Sequence, residues 1–279
     1  MTRIRALIAD NWKSGKELAQ LGKDALEQGA GLEKLVVLPP MTDFHKTSGI
    51  IKASELGKVL EEWCSFARKL QVYLIPGTML VNDEAGAGIL HQAPLIDKYG
   101  QIIGVSSQTH LSSQEVSWGW QASNQLPLMD TPFGKLAILL NSDCWQPEVW
   151  RLITLLGAKM AVAYTMVEAP YTESYQLAGS WQNVQQNQVF AIECSLTGQW
   201  EGREYQGRSA IIGPCELTSD FSGFLPCRKE GDWLEVEISL EELEQVRQQY
   251  PLLKQLNLPL YENKLLPLYR QATTGADNK

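Results

Sequence analysis

Residues 90–105, LHQAPLIDKYGQIIGV, decide the fold. Two apolar runs, 90–96 and 102–105, flank Asp97, Lys98, Tyr99 and Gly100, a turn-forming quartet, so the stretch predicts an antiparallel hairpin. On either side of it the pattern changes to strands alternating with helices. Upstream, residues 4–9 suit a strand, and Ser14 and Glu17 form a capping box ahead of Leu18, Leu21, Ala25 and Leu26 at helical spacing. Residues 34–38 make a second strand. Ala53, Leu56, Val59, Leu60, Trp63, Phe66 and Leu70 mark one face of a second helix, and residues 72–75 a third strand.

Downstream, residues 136–140 form a continuous apolar strand. Pro147 and Glu148 then open a helix that Gly157 is placed to end. Strand 160–164, a helix over 175–184, strand 189–194 and strands 209–212 and 234–238 follow. Ser239 and Glu242 make another capping box for a short helix near Leu243 and Val246, and the segment 272–279 reads as a disordered tail. No internal repeat, low-complexity tract or Pro/Gly-rich linker interrupts residues 1–271, which read as one domain. A hairpin among α/β units excludes a purely parallel sheet, and two mixed sheets between helices satisfy the pattern.

The bulk numbers narrow the function classes. With 24 Lys and Arg against 32 Asp and Glu the formal charge is −8, which argues against general affinity for nucleic acid or anionic lipid. No run of about 18 uncharged apolar residues suggests a membrane span, and Asp10 and Lys13 interrupt the opening before it reaches the length of a signal peptide. Cys64, Cys144, Cys194, Cys215 and Cys227 are odd in number and include no CxxC pair, which points away from a disulfide framework and toward a reducing, cytoplasmic location. His45, His91 and His110 show no metal-binding spacing, so neither a metal nor another cofactor is expected. The acidic residues between Glu235 and Glu244 alternate with apolar ones and read as a solvated face.

Four segments, in order over roughly residues 4–262, resemble the nitrilase superfamily of carbon-nitrogen hydrolases. They are Leu35-Val36-Val37-Leu38-Pro39; the hairpin residues 97–104 continuing to Thr109-His110-Leu111; Thr131-Pro132-Phe133-Gly134-Lys135 with Asp143 and 147–151; and 187–190 with 207–212. The resemblance implies a four-layer αββα sandwich, usually dimeric. It also implies a mechanism in which a Cys thiolate attacks an amide or nitrile carbon, a Glu moves protons and a Lys stabilises the oxyanion.

Aligned by their flanks, those three positions carry Pro40, Gln108 and Asn141. Proline has no proton to exchange, glutamine no charge and asparagine no nucleophile. A further family carboxylate is retained as Glu115. Without a cationic partner, a buried Glu115 is expected to take up a proton. The candidate pocket is Gln108, Glu115, Asn141, Ser142, Cys144 and Trp145.

The function these residues suggest is that of a hydrolase-like protein without carbon-nitrogen hydrolase activity, acting in ligand binding, regulation or assembly. Its ligand would be a small amide or carboxylic acid. The alternative is an active amidohydrolase whose rearranged site uses Cys144. Against that, the elbow of the resembled family turns this position away from the pocket, so a packed structural cysteine is the plainer reading. His110 reads as a structural hydrogen-bonding residue. Trp118 and Trp120 could line the pocket or pack at a dimer contact, Trp145 could belong to pocket or core, and Trp63, Trp150 and Trp181 read as helix-face core. The resemblance places Pro147 to Leu156 and Tyr175 to Val184 at a homodimer interface.

Overall fold

A computed structural model describes residues 3–9, 32–42, 49–82, 88–230 and 233–274. The capping box at Ser14 and Glu17, the helix expected after it, and His45 lie outside the described residues. The first sheet contains β1 (Arg3–Ala9), β2 (Glu33–Val37), β3 (Ile51–Lys52), β4 (Tyr73–Ile75), β5 (Met79–Asn82), β6 (Ile89–Ile96) and β7 (Ile102–Ser107). β15 (Arg228–Glu230) and β16 (Trp233–Ser239) extend it, in the order β15-β16-β1-β2-β4-β6-β5-β3 with β7 also on β6. The second sheet runs β14-β11-β10-β9-β8, from β8 (Met129–Thr131), β9 (Gly134–Leu140), β10 (Ala158–Thr165), β11 (Phe190–Ser195) and β14 (Ala210–Ile212). β12 (Gly198–Trp200) and β13 (Arg203–Tyr205) form a separate hairpin.

Strand alternation builds the layers. Along β9 and β10, Leu136, Ile138, Leu140, Met160, Val162 and Tyr164 turn toward Ala6, Leu35, Val37, Ile75 and Leu95 of the first sheet and form the central core. The opposite face of the second sheet is lined by Ala137, Ala161, Ala163 and Ala191. These small side chains admit Val149, Trp150 and Ile153 of α3 (Pro147–Leu155) and Val184 of α5 (Gln182–Asn187). Outside the first sheet, Leu60, Trp63 and Ala67 of α1 (Leu56–Leu70) pack on Val36, Leu38, Leu74 and Ile96. The result is the αββα sandwich, a mixed α/β fold.

The expected hairpin forms between β6 and β7. Asp97 Oδ1 accepts from the N–H groups of Tyr99 (2.9 Å) and Gln101 (2.8 Å), and Gly100 adopts φ +79°, where a Cβ would stand 2.5 Å from the Cys64 carbonyl oxygen. Pro147 and Gly157 bound α3 as expected, Gly157 with φ +99°. Only one arm of the capping box at Ser239 is seen, Ser239 Oγ accepting from the Glu242 N–H at the start of α6 (Leu240–Gln249).

Two segments differ from expectation. The helix expected over 175–184 begins earlier, as α4 (Glu173–Gln176), passes through a π-helical turn Leu177–Trp181 that breaks at Gly179, and resumes as α5. The chain beyond 251 is helical in α7 (Leu258–Leu260), a further π turn Tyr261–Leu265 and α8 (Leu266–Thr274). Helix therefore covers 272–274 of the segment read as a tail; residues 275–279 lie outside the described residues.

Candidate active site

The site forms where β7 and β9 end side by side. α2 (Ser113–Ser117) lies directly after β7, and Ser112 caps it: its Oγ accepts from the Glu115 N–H while Glu115 reaches back to the Ser112 N–H. This local box turns the Glu115 carboxylate into the protein, where 1% of the residue is exposed. β9 ends at Leu140, and Asn141 follows with φ +42°, a left-handed conformation that aims its side chain at Glu115.

Glu115 is surrounded by donors. Its Oε1 accepts from Asn141 Nδ2 (2.6 Å) and Gln108 Nε2 (3.0 Å). Its Oε2 accepts from the Ser112 N–H (2.6 Å), Ser112 Oγ (2.8 Å) and Ser142 Oγ (3.2 Å). Burial raises the carboxyl pKa, but the hydrogen bonds from Asn141, Ser112 and Gln108 together outweigh it, and the net shift is downward. The proton expected on Glu115 is therefore not favoured. Neutral donors hold the carboxylate in its ionised form.

Gln108 is fully buried and bonded at each end: Nε2 also donates to the His110 carbonyl (2.7 Å), and Oε1 lies 2.7 Å from His91 Nδ1. His91, on β6, extends the network in a way the sequence reading missed. Burial lowers its pKa, so a neutral ring donating from Nδ1 to Gln108 fits the contact. Asp143 ties the two strand ends together. Its carboxylate accepts from the Thr109 N–H (3.1 Å), Thr109 Oγ1 (2.7 Å) and the His110 N–H (2.8 Å), and from the Leu140 N–H (3.4 Å). His110 Nδ1 faces the same carboxylate at 3.2 Å, as its reading as a hydrogen-bonding residue anticipates.

The other candidates divide. Pro40 is buried in the turn after β2, where Thr42 Oγ1 donates to the Pro39 carbonyl (2.6 Å). Gly77 (φ +96°) presses on that turn so closely that a Cβ would stand 2.3 Å from the same oxygen. Cys144 is in the Asn141 turn but points the other way, among Ala137, Ala163 and Trp150, with Sγ directed to the carbonyls of Tyr164 (3.4 Å) and Leu139 (3.8 Å). Burial pushes its thiol pKa well up, with Asp143 and Glu193 adding to the effect.

Trp145 lines an open cleft of about 530 Å³ with Met166, Val167, Glu168, Tyr175 and Ala178, and its Nε1 donates to the Tyr175 carbonyl (3.1 Å). It also packs on the helix-side core, so it belongs to both pocket and core. The cleft adjoins the Glu115 network through Met166, whose N–H donates to Asn141 Oδ1 (3.3 Å). Trp118 and Trp120 do not line this cleft; they cluster with Trp200, and Arg203 stacks over Trp118. Among the described residues no group of three or more His, Cys, Asp or Glu side chains could hold a metal ion, and no helix is long and apolar enough to cross a membrane.

The carbon-nitrogen hydrolase family model matches residues 4–248. A deaminated glutathione amidase from Synechocystis sp. (strain PCC 6803 / GT-S) is 28% identical over 271 residues, covering 90% of this chain and 93% of that protein. A carbon-nitrogen hydrolase crystal structure from Helicobacter pylori G27 superposes with a TM-score of 0.76 at 20% identity, covering 94% and 98% of the two chains. A mutant of the amidase from Nesterenkonia sp. AN1, its active-site cysteine carrying the acetamide moiety of fluoroacetamide, superposes with a TM-score of 0.68 at 16% identity over 94% of this chain and 96% of that one.

Proposed function

The chain belongs to the carbon-nitrogen hydrolase family, and from that premise we propose that it is a non-hydrolysing member that binds a small amide or carboxylic acid in the cleft beside Asn141. The observation that carries this reading is the filled Glu115 carboxylate. A general base needs a free lone pair within reach of the proton it takes, and both Glu115 oxygens already accept from Asn141, Gln108, Ser112 and Ser142. Pro40, Gln108 and Asn141 stand at the positions that align with the triad. They supply no base, no fixed positive charge and no nucleophile.

What remains is a recognition surface. The Trp145 and Tyr175 side chains offer apolar contact, and Ser174 and Glu168 supply polar groups along the same cleft. A homodimer formed through α3 and the α4 to α5 segment is part of the proposal, since Leu152, Leu155, Leu156, Tyr175 and Leu177 are exposed there. Sedimentation should find a dimer that Leu155→Asp weakens; a monomeric native protein would remove that element. The five free thiols favour a reducing, cytoplasmic setting.

A second reading, an active amidohydrolase using Cys144, is favoured by the amidase names of its relatives and by the place of Cys144 in the Asn141 turn. It requires Sγ to leave the carbonyls of Leu139 and Tyr164 and to lose a proton against burial. Hydrolysis of a panel of amides and nitriles separates the two. The native protein should be silent, and the triple variant Pro40→Glu, Gln108→Lys, Asn141→Cys should gain turnover. Native turnover abolished by Cys144→Ala would establish the second reading instead.

A further inference from the structure

The wall of the cleft covers a second buried polar cluster. On β11, Phe190, Ile192 and Cys194 turn into the central core, so Glu193 turns to the other face, toward the α4 to α5 segment, and is 4% exposed. Gln176 and Ser180 of that segment face it, each 1% exposed, and Thr165 Oγ1 lies 3.5 Å from its Oε1. Glu193 Oε2, Gln176 Oε1 and Ser180 Oγ are all buried without a hydrogen-bond partner. The Gln176 amide nitrogen donates to the Arg208 carbonyl (2.9 Å) while its Oε1 has no partner, and Thr165 Oγ1 is engaged with Ser195 Oγ (2.8 Å). Of the three unpartnered atoms only the Ser180 hydroxyl carries a proton to donate, and it can serve one of the two acceptors, so in a dry site the other is satisfied only if Glu193 itself is protonated.

The same segment reaches the cleft. Ser174, Tyr175 and Ala178 line it, the Tyr175 carbonyl accepts from Trp145 Nε1, and the Trp145 ring lies against Gly179, where a Cβ would stand 3.0 Å from Nε1. Gly179 is also where the helix breaks, at φ −90° and ψ −110°. Such π-helical turns interrupt the α-helical hydrogen-bond ladder and are frequent at functional sites.

We propose that Glu193, as a neutral carboxylic acid, donates to Gln176 Oε1 and so positions the cleft wall, and that loss of this proton displaces the wall and Trp145 with it. Burial pushes the Glu193 pKa up to about 7, with Ser180, Gln176 and Thr165 pulling the other way, which puts the change near neutral pH. The titratable groups facing Glu193 are Tyr171, ahead of α4, and Cys144, in the turn after β9; burial raises both, so both stay uncharged over that range. Arg208, the cation that acts on Tyr171, pairs with Glu173. The consequence for ligands rests on the cleft being the binding site proposed above; the wall movement does not.

The test uses no ligand, so its failure is distinct from failure of the proposed function. The full chain is labelled with 5-fluorotryptophan and with ¹³C at glutamate carboxyls, and both signals are followed from about pH 5 to about pH 9. Trp145→Phe assigns the fluorine resonance. In the wild-type protein the Glu193 carboxyl and the Trp145 resonance should titrate with one shared midpoint near 7. In Glu193→Gln, whose amide can still donate to Gln176 Oε1, Trp145 should hold its low-pH shift throughout. A Trp145 signal that is flat while Glu193 ionises, a Trp145 titration unchanged in Glu193→Gln, or a Glu193 carboxyl that does not titrate near neutral pH would each overturn the proposal. If Glu193→Gln does not fold, the two wild-type midpoints still decide it.

Discussion

Two carboxylates, Glu115 and Glu193, are buried to nearly the same degree, yet their pKa values move in opposite directions. Glu115 accepts from two amides, two hydroxyls and a backbone N–H. Glu193 has one long contact to Thr165 and an oxygen with no partner. Burial alone therefore does not set the charge; the supply of donors does. The first site holds a fixed anion, and the second a proton that can leave near neutral pH.

The comparison can be broken most forcibly at Glu115. Glu115→Ala strands the donors of Asn141, Gln108, Ser112 and Ser142, and should cost about 4 kcal/mol in urea unfolding. A loss below about 1 kcal/mol would mean that water already competes for those donors.

Glu193 should act with the opposite sign. Its folded pKa lies above the unfolded one, so the folded state binds the extra proton between 4.5 and about 7. Its contribution is complete below 4.5, falls as pH rises through that window and levels off above it. The loss amounts to about 3 kcal/mol, and Glu193→Gln should remove that slope from a pH series of melting curves. Glu115, with its depressed pKa, contributes above the unfolded value and loses its contribution as pH falls through the folded one, so Glu115→Gln should flatten only the acid side.

Smaller changes sharpen the contrast. Asp143→Ala frees Thr109 and His110 from the Asn141 turn and should cost about 2 kcal/mol, with faster amide exchange at Thr109 as its local signature. Ser142→Ala removes one donor of five and should cost about 1 kcal/mol while raising the Glu115 pKa measured by carboxyl NMR. An unmoved pKa would show that Ser142 does not matter to the anion.

Much of this frame is legible in the residues. The hairpin turn at Asp97 to Gly100, the proline opening α3 and the glycine closing it each carry a local backbone reason. The charge of Glu115 is legible too, since Ser112 and Glu115 have capping-box spacing, which brings donors to the carboxylate without a cation. His91 and Glu193 each left a weaker sign: a titratable residue within a mostly apolar strand. Alternation gives the face on which such a residue lies, not the elements that cover it. The π turn over 177–181 left only the Gly179-Ser180 pair as a sign, because Leu177, Ala178 and Trp181 fit helical spacing equally well, and the closeness of Trp145 to Gly179 is not written in the local sequence.

The most direct test of the central claim, a hydrolase frame without a working nucleophile, is intact-mass measurement and peptide mapping after incubation with fluoroacetamide. The account predicts no adduct at Cys144, whose thiol is buried and held protonated. An adduct mapped to Cys144 in the native protein would contradict it and place the chemistry one turn beyond Asn141.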